Sequence, residues 1–157
     1  IIAGEPNSIN SEIIAKAWRF TRYKKNIFII GNYSLIKNQL KKINIKIELE
    51  VTDNPYKKRS SDKLQILNVP LSFKNSFNVK SESSSKYVLR CLDMANDLAR
   101  KKIINGFINC AIDKKRTFKV KNMGVTDYLA KKNKIQNSVV MLIYNKSLAV
   151  VPITTHI

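Results

Sequence analysis

The feature that most constrains the fold is an alternation along the chain. Short, almost wholly apolar runs such as NIFIIG and GFINCAI take turns with longer stretches whose apolar residues recur at helical spacing. Runs with no polar face need cover on both sides, and the intervening amphipathic stretches can supply it. The pattern therefore predicts an α/β layered fold with a mostly parallel central sheet and flanking helices. The central strands are expected near residues 27–31, 105–110, 138–144 and 147–153, with shorter strands in IIAG and IKIELEV and an antiparallel excursion through KLQILNVP and SFNVK. Helices are expected from Asn10 or Ser11, either of them a plausible N-cap, to about Lys24, over YSLIKNQLKKIN, from Ser83–Ser85 to about Ile103, and over VTDYLAKKN. The polar stretch around 53–62, with its proline, reads as an exposed loop.

With 157 residues the chain is long enough for one domain with a real core and too short for two ordinary ones. The longest apolar runs stop well short of the roughly 20 residues that span a bilayer, which argues against a membrane partner. No basic, apolar, small-residue leader is visible, so cytoplasmic placement is the expectation. Cys91 and Cys110 have neither metal-ligand spacing nor the density of a disulfide framework, and read as small buried apolar residues.

A net charge of +18 ordinarily points to nucleic acid. Here Ile, Lys and Asn, all with A/T-rich codons, make up 61 of the 157 residues, so coding bias explains the excess without selection for a polyanion partner. The lysines come in scattered pairs, not on one face interleaved with aromatics, and a basic nucleic-acid-binding module is the weakest of the readings.

Three stretches carry chemistry in combination. GEPNSINSE at 4–12 ends a strand and enters a helix, which presents backbone N–H groups to an anion. NCAIDK at 109–114 delivers Asp113 and Lys114 at a strand end, and GVTDYLA at 124–130 starts a helix with Thr126 and Asp127. VVML at 139–142 leads to the closing Thr-Thr-His, whose His156 is the single histidine of the chain.

In this order and spacing the three resemble the N-terminal half of the 4-hydroxythreonine-4-phosphate dehydrogenase (PdxA) family. The family reads G-[DE]-P-x-G-[IV]-G-P-E, then T-A-P-[IV]-[NH]-K with G-H-T-E-x-L-A, then V-M-M-L and T-T-H. The resemblance spans nearly the whole chain but about half the family's length. It implies one α/β domain over 1–157, like half of an isocitrate or isopropylmalate dehydrogenase, with the C-terminal half absent. It further implies NAD-dependent oxidation of a phosphorylated 4-hydroxythreonine in vitamin B6 synthesis, followed by decarboxylation, in a homodimer. A divalent metal (Zn, Mg or Co) held by three histidines would act as a Lewis acid. The first of those histidines falls on His156, and the phosphorylated substrate would be gripped by Thr126, Lys114 and Asp113, with Glu5 facing the same cleft.

The departures are specific. Ser8 and Asn10 stand where the family has glycine and Ser11 where it has proline, so positions suited to φ > 0 or close approach carry side chains. Asn109 and Ala111 replace Thr and Pro, Asp113 replaces Asn or His, and Val125 replaces a histidine, removing a donor. These losses support a second reading, a catalytically inactive remnant that keeps the fold, a dimer surface or a weak ligand pocket.

Overall fold

The computed structural model describes residues 1–22, 24–54, 62–119, 123–136 and 139–152. Its elements, in chain order, are α1 (Asn10–Phe20), a 3-10 turn (Lys24–Asn26), β1 (Ile29–Gly31), α2 (Tyr33–Lys42), β2 (Leu49–Val51), β3 (Leu64–Asn68), α3 (Ser81–Arg100), α4 (Lys114–Phe118), α5 (Val125–Asn133), β4 (Ile143–Asn145) and β5 (Leu148–Val150).

Strands β1, β2 and β3 form one sheet in the order β1-β3-β2, with both pairings parallel. Two single parallel bridges extend it beyond β1, Ile2 to Ile30 and Ile2 to Asn109. The Ile2 N–H donates to the Ile108 carbonyl at 2.8 Å, and the Cys110 N–H donates back to Ile2 at 3.1 Å. Across the sheet the order is therefore β2, β3, β1, the segment 1–3 and the segment 108–110.

Side chains alternate through this layer as the two-residue period requires. Phe28 and Ile30 join Ile2 on the face covered by α3, against Tyr87, Val88, Cys91, Leu92 and Ala95. Ile29, Leu64 and Ile66 join Ala3 on the other face, against Ile14, Ala15 and Trp18 of α1 and Ile36 and Leu40 of α2. Burial of both faces is why the strands read as unbroken apolar runs.

Within this core the Cys91 thiol is pushed up to about 12 by burial, from an ordinary value of 9.0. A thiol whose pKa is raised on folding contributes stability fully present below its unfolded value and lost as pH climbs toward the folded one. The unfolded chain releases this proton near pH 9.0 and the folded chain holds it to about 12. Between neutral pH and about pH 10.5 the native state should therefore lose roughly 2 kcal/mol through this group. Denaturant unfolding at the two pH values, compared between the wild type and Cys91→Ala, checks it: the pH-dependent loss should shrink by that amount in the variant, and an equal loss in both would refute it.

The sequence reading needs correcting in several places. KLQILNVP is no antiparallel excursion: its strand β3 is the middle strand of the three, parallel to both neighbours. Residues 143–145 and 148–150 do form strands joined at Lys146–Ser147, but they pair antiparallel as a separate two-stranded hairpin and are exposed, not part of the buried central sheet. Their apolar character reports a need for cover that the described residues do not supply. Residues 105–110 pair with Ile2 at a single bridge rather than along a full strand. SFNVK is a turn, because Asn75 Oδ1 accepts from Phe77 N–H and the Asn75 carbonyl accepts from Asn78 N–H, which takes the local backbone groups away from any ladder. Finally, neither Asn10 nor Ser11 is the N-cap of α1. Ile9 holds that position without a side-chain bond, and both polar residues lie inside the helix with their side chains turned to tertiary partners. The helix also ends at Phe20, short of Lys24. The greater part of the expected 53–62 loop, residues 55–61, lies outside the described residues.

Candidate functional site

All the strand pairings of the large sheet are parallel, so their carboxyl ends share one edge. Segment 1–3 delivers Gly4 and Glu5 there, β1 delivers Asn32, β3 delivers Asn68, and segment 108–110 delivers Ala111 to Asp113. The chain runs outward from segment 1–3 first to β1 and β2 on one side, and only later to 108–110 on the other. That reversal is the switch point of an open α/β sheet, where a crevice opens between diverging connections. Here the Glu5 loop and Ala111–Asp113 flank that point.

The two segments are bonded to each other. Glu5 N–H donates to the Ala111 carbonyl at 2.9 Å, and Asn10 Nδ2 donates to the same carbonyl at 2.8 Å. Gly4 makes this approach possible: its φ is 74°, and a Cβ there would stand 2.5 Å from the Ala111 oxygen.

The loop that follows is clamped by side chains. Asn7 donates from Nδ2 to the Val79 carbonyl at 2.8 Å and accepts from Val79 N–H at 2.7 Å. Gln39 Nε2 reaches the carbonyls of Pro6 and Ser76, both at 2.6 Å, while Ser11 Oγ donates to Gln39 Oε1. Ser8 Oγ donates to the Glu5 carbonyl and accepts from Asn10 N–H. Positions 8, 10 and 11, where glycine and proline were expected from the family pattern, all have negative φ, so side chains are accommodated without strain. Those side chains instead close hydrogen bonds.

Glu5 is 8% exposed. Its Oε1 accepts from Ser84 Oγ of α3 at 2.7 Å and from Asn7 N–H at 3.3 Å, while Oε2 is buried without a hydrogen-bond partner among the described residues. Asn10 Oδ1 and Thr117 Oγ1 are in the same condition. Buried polar atoms of this kind ordinarily find a partner, water included.

Asp113 caps α4, accepting from Arg116 N–H at 3.0 Å and pairing with Arg116 Nε at 3.2 Å. It thereby fixes the helix on whose first position Lys114 stands, exposed. The Phe118 ring of α4 lies 5.4 Å from the Tyr128 ring of α5, joining the two helices. Gly124 opens α5; having no side chain, it supports only the reciprocal half of a capping box, in which Asp127 Oδ2 accepts from Gly124 N–H at 2.8 Å. Thr126 is exposed in the first turn. Val125 is half-buried against the core cluster around Phe118 and Cys91. On α5, Tyr128 donates to Asp93 at 2.6 Å and Lys132 pairs with Asp93 at 2.8 Å, which ties the helix to α3. That carboxylate and burial raise the Tyr128 hydroxyl's pKa, burial being the larger cause.

Glu5 and Asp113 thus follow segments 1–3 and 108–110 at the same edge of the sheet, Lys114 opens α4 and Thr126 stands in the first turn of α5. His156 lies outside the described residues. Among those residues, no three His, Cys, Asp or Glu side chains are grouped to hold a metal ion. No helix among them is long and apolar enough to cross a membrane. Sequence reasoning missed the clamp of Asn7, Asn10, Ser11, Gln39 and Ser84; its available signal was polar side chains replacing glycine in a loop that enters a helix.

An open, parallel α/β layer with helices on both faces is the class of protein these features define. The comparisons narrow it. The family described as pyridoxal phosphate biosynthetic protein PdxA matches residues 23–157, and the chain belongs to that family. Among solved structures it is similar to the 4-hydroxythreonine-4-phosphate dehydrogenase of Klebsiella pneumoniae, at 20% identity and a TM-score of 0.80, covering 99% of this chain and 49% of that one. It is also similar to a 4-hydroxythreonine-4-phosphate dehydrogenase from Burkholderia phymatum, at 15% identity and a TM-score of 0.82, again covering 99% and 49%. The chain therefore spans about half the length of these relatives, which share its fold. Among curated proteins none matches.

Proposed function

We propose that this chain is the substrate-gripping half of an NAD-dependent 4-hydroxythreonine-4-phosphate dehydrogenase of pyridoxal phosphate synthesis, working in the cytoplasm as part of a two-copy assembly. The observation that carries it is that, in a chain of the PdxA family, the segments before Glu5 and before Asp113 and Lys114 end side by side at the switch point of the sheet. In the reaction, the secondary alcohol of phosphorylated 4-hydroxythreonine gives its C–H as hydride to NAD⁺ and its O–H as a proton. The resulting β-keto acid then loses CO2.

The roles of this chain's residues follow from their surroundings. Lys114, exposed and cationic, meets the phosphate, and the Thr126 hydroxyl donates to the same anion. Asp127 already occupies the first N–H of α5, so the helix end alone is a weakened anion site and Lys114 carries the charge complement. Asp113 is a positioning residue, since its carboxylate is engaged in holding α4. When bound, NAD supplies the hydride acceptor and a divalent metal supplies Lewis acidity at the alcohol oxygen. The described donor set does not assemble a metal centre. No step is derived through one, and His156 is the residue of this chain offered to it.

Calorimetric titration with phosphorylated 4-hydroxythreonine tests the grip. Lys114→Ala should weaken binding about tenfold or more, Lys114→Arg should keep most of it, and Thr126→Val should fall between. Binding indifferent to Lys114 refutes the assignment.

One observation favours the second reading, an inactive remnant. The residue at the family's histidine position, Val125, packs against the core cluster, so that position serves stability and offers the substrate neither a donor nor a proton.

A further inference from the structure

We propose that Asn105 is a site of spontaneous deamidation, at which the peptide nitrogen of Gly106 closes on the side-chain amide and converts it to isoaspartate and aspartate. Of the 17 asparagines in the chain, Asn105 alone precedes a glycine. The reaction needs a carboxamide free to turn onto the next peptide nitrogen, a following residue with no Cβ in the way, and a nitrogen whose proton no acceptor holds. All three meet in the connection between α3 and the segment 108–110. Asn105 is exposed, and its side chain has no hydrogen bond among the described residues. Gly106 is exposed too, a Cβ there would meet nothing within 4 Å, and its N–H has no acceptor among the described residues. Lys101 and Lys102, exposed just before it in the chain, favour the anion that the nitrogen becomes on losing its proton.

The fold spares the next-best candidates, the asparagines followed by the small residue serine. Asn7 is bonded to Val79 through both side-chain polar atoms, Asn10 is buried with its amide nitrogen on the Ala111 carbonyl, and Asn75 Oδ1 accepts from Phe77 N–H and Lys42 Nζ. None of these carboxamides can turn without breaking those bonds. Asn137, also followed by serine, lies outside the described residues.

Water is the only co-reactant. The Gly106 nitrogen forms a bond to Asn105 Cγ, the Cγ–Nδ2 bond breaks, and ammonia leaves with the proton the nitrogen has lost. Water then opens the succinimide at one of its two carbonyls. Opening at Cγ gives aspartate, whereas opening at the main-chain carbonyl gives isoaspartate, whose main chain runs through Cβ and Cγ and is one atom longer. Either product trades a neutral amide for a carboxylate and lowers the +18 of the chain by one. The extra atom enters just before Ile108 and Cys110, whose hydrogen bonds with Ile2 hold the outer segment of the sheet, so the isoaspartyl form holds that segment less firmly.

Incubation of the folded protein in mildly alkaline heavy-oxygen water, followed by peptide mapping with mass spectrometry, tests the proposal. The peptide carrying residue 105 should gain one heavy oxygen and divide into aspartyl and isoaspartyl forms, at least about tenfold faster than any other described asparagine. Gly106→Val, which obstructs ring closure where the fold has room for the side chain, should slow the conversion at least about tenfold with the circular dichroism unchanged. Gly106→Ala should slow it less, in the same direction. In urea, Asn7 and Asn75 should quicken several-fold while Asn105 keeps about its folded rate. Conversion at Asn105 no faster than elsewhere, a rate indifferent to both Gly106 variants, or aspartate formed without isoaspartate overturns the proposal. Amide exchange at Cys110 should quicken in the isoaspartyl fraction, and protection equal to that of fresh protein overturns the loosening of the outer segment while the modification stands.

Discussion

Replacing Gly4 with alanine is expected to cost at least about 3 kcal/mol of folding stability, a loss reached only by a few named mechanisms such as backbone strain and steric overlap in a packed region. Both apply here. The residue sits at φ 74°, where an L side chain is strained, and its added Cβ would come within 2.5 Å of the Ala111 carbonyl, 2.6 Å of Asn10 Nδ2 and 3.1 Å of the Cys110 carbonyl. Asn10 alone could swing aside. The carbonyls cannot, because Ala111 accepts from Glu5 N–H and Cys110 belongs to the pairing with Ile2. Relief of the clash would separate the two segments, so substrate binding should fall with stability. Denaturant unfolding of Gly4→Ala measures the first effect, and a loss below about 1 kcal/mol would mean that the two segments are not held as described. Ser8→Gly is the control: its backbone lies at negative φ, and the change removes only the hydrogen bonds of one hydroxyl.

The same loop marks how far the sequence could be read. Helix α5 follows VTDYLAKKN from Val125 to Asn133, and α2 begins one residue after Asn32, whose side chain caps it at 2.8 Å from Leu35 N–H. In both cases the signal is local: turn chemistry and a 3.6-residue period suffice. The central strand 29–31 was legible for a related reason, since burial on both faces leaves a composition that few alternatives share, whereas 64–68, with Gln65 inside it, was legible as a strand but not as the middle one of the sheet. That composition misled at 138–144 and 147–153. An apolar run states that a strand seeks cover, and is silent on whether its own domain or another surface provides it.

Asn10 and Ser11 failed differently. Their residue types at a helix start suit either a cap or a reach to distant partners, and the choice was made by Ala111 and Gln39, residues 101 and 28 positions away. No local pattern carries that information. Placement at the carboxyl edge of the sheet was legible for Lys114 and Glu5, since each follows an apolar strand run. The clamp that holds the Glu5 loop was not legible, being a property of packing between α1, α2 and α3.

The 157-residue chain on its own is expected to leave NAD⁺ unreduced, at no more than the buffer rate, while still binding the phosphorylated substrate through Lys114. A zinc site of the catalytic type takes three protein ligands and keeps one open position, and the ligand set implied here is a lone imidazole at His156. Glu5 could lend a carboxylate, but one of its oxygens is already held by Ser84 and Asn7, and it is fixed deep in the loop. One imidazole and one constrained carboxylate make a weak and unselective site, so Zn²⁺ titration should give no stoichiometric submicromolar binding that His156→Ala removes. The substrate end is also short of a donor: with Val125 packed inward, a polar group that the family's histidine would meet goes unpaired, at about 1–3 kcal/mol. Restoring it as Val125→His should improve substrate binding up to tenfold without producing turnover, because a second imidazole at that helix start supplies a donor to the substrate and not the three-ligand metal set. Three measurements decide the matter: NADH absorbance with phosphorylated 4-hydroxythreonine, calorimetry with Zn²⁺, and calorimetry with substrate. Turnover above buffer by the unaltered chain, or tight zinc lost on His156→Ala, would establish that these 157 residues assemble a complete centre and that the sheet edge carrying Glu5, Asp113 and Lys114 is more than a grip.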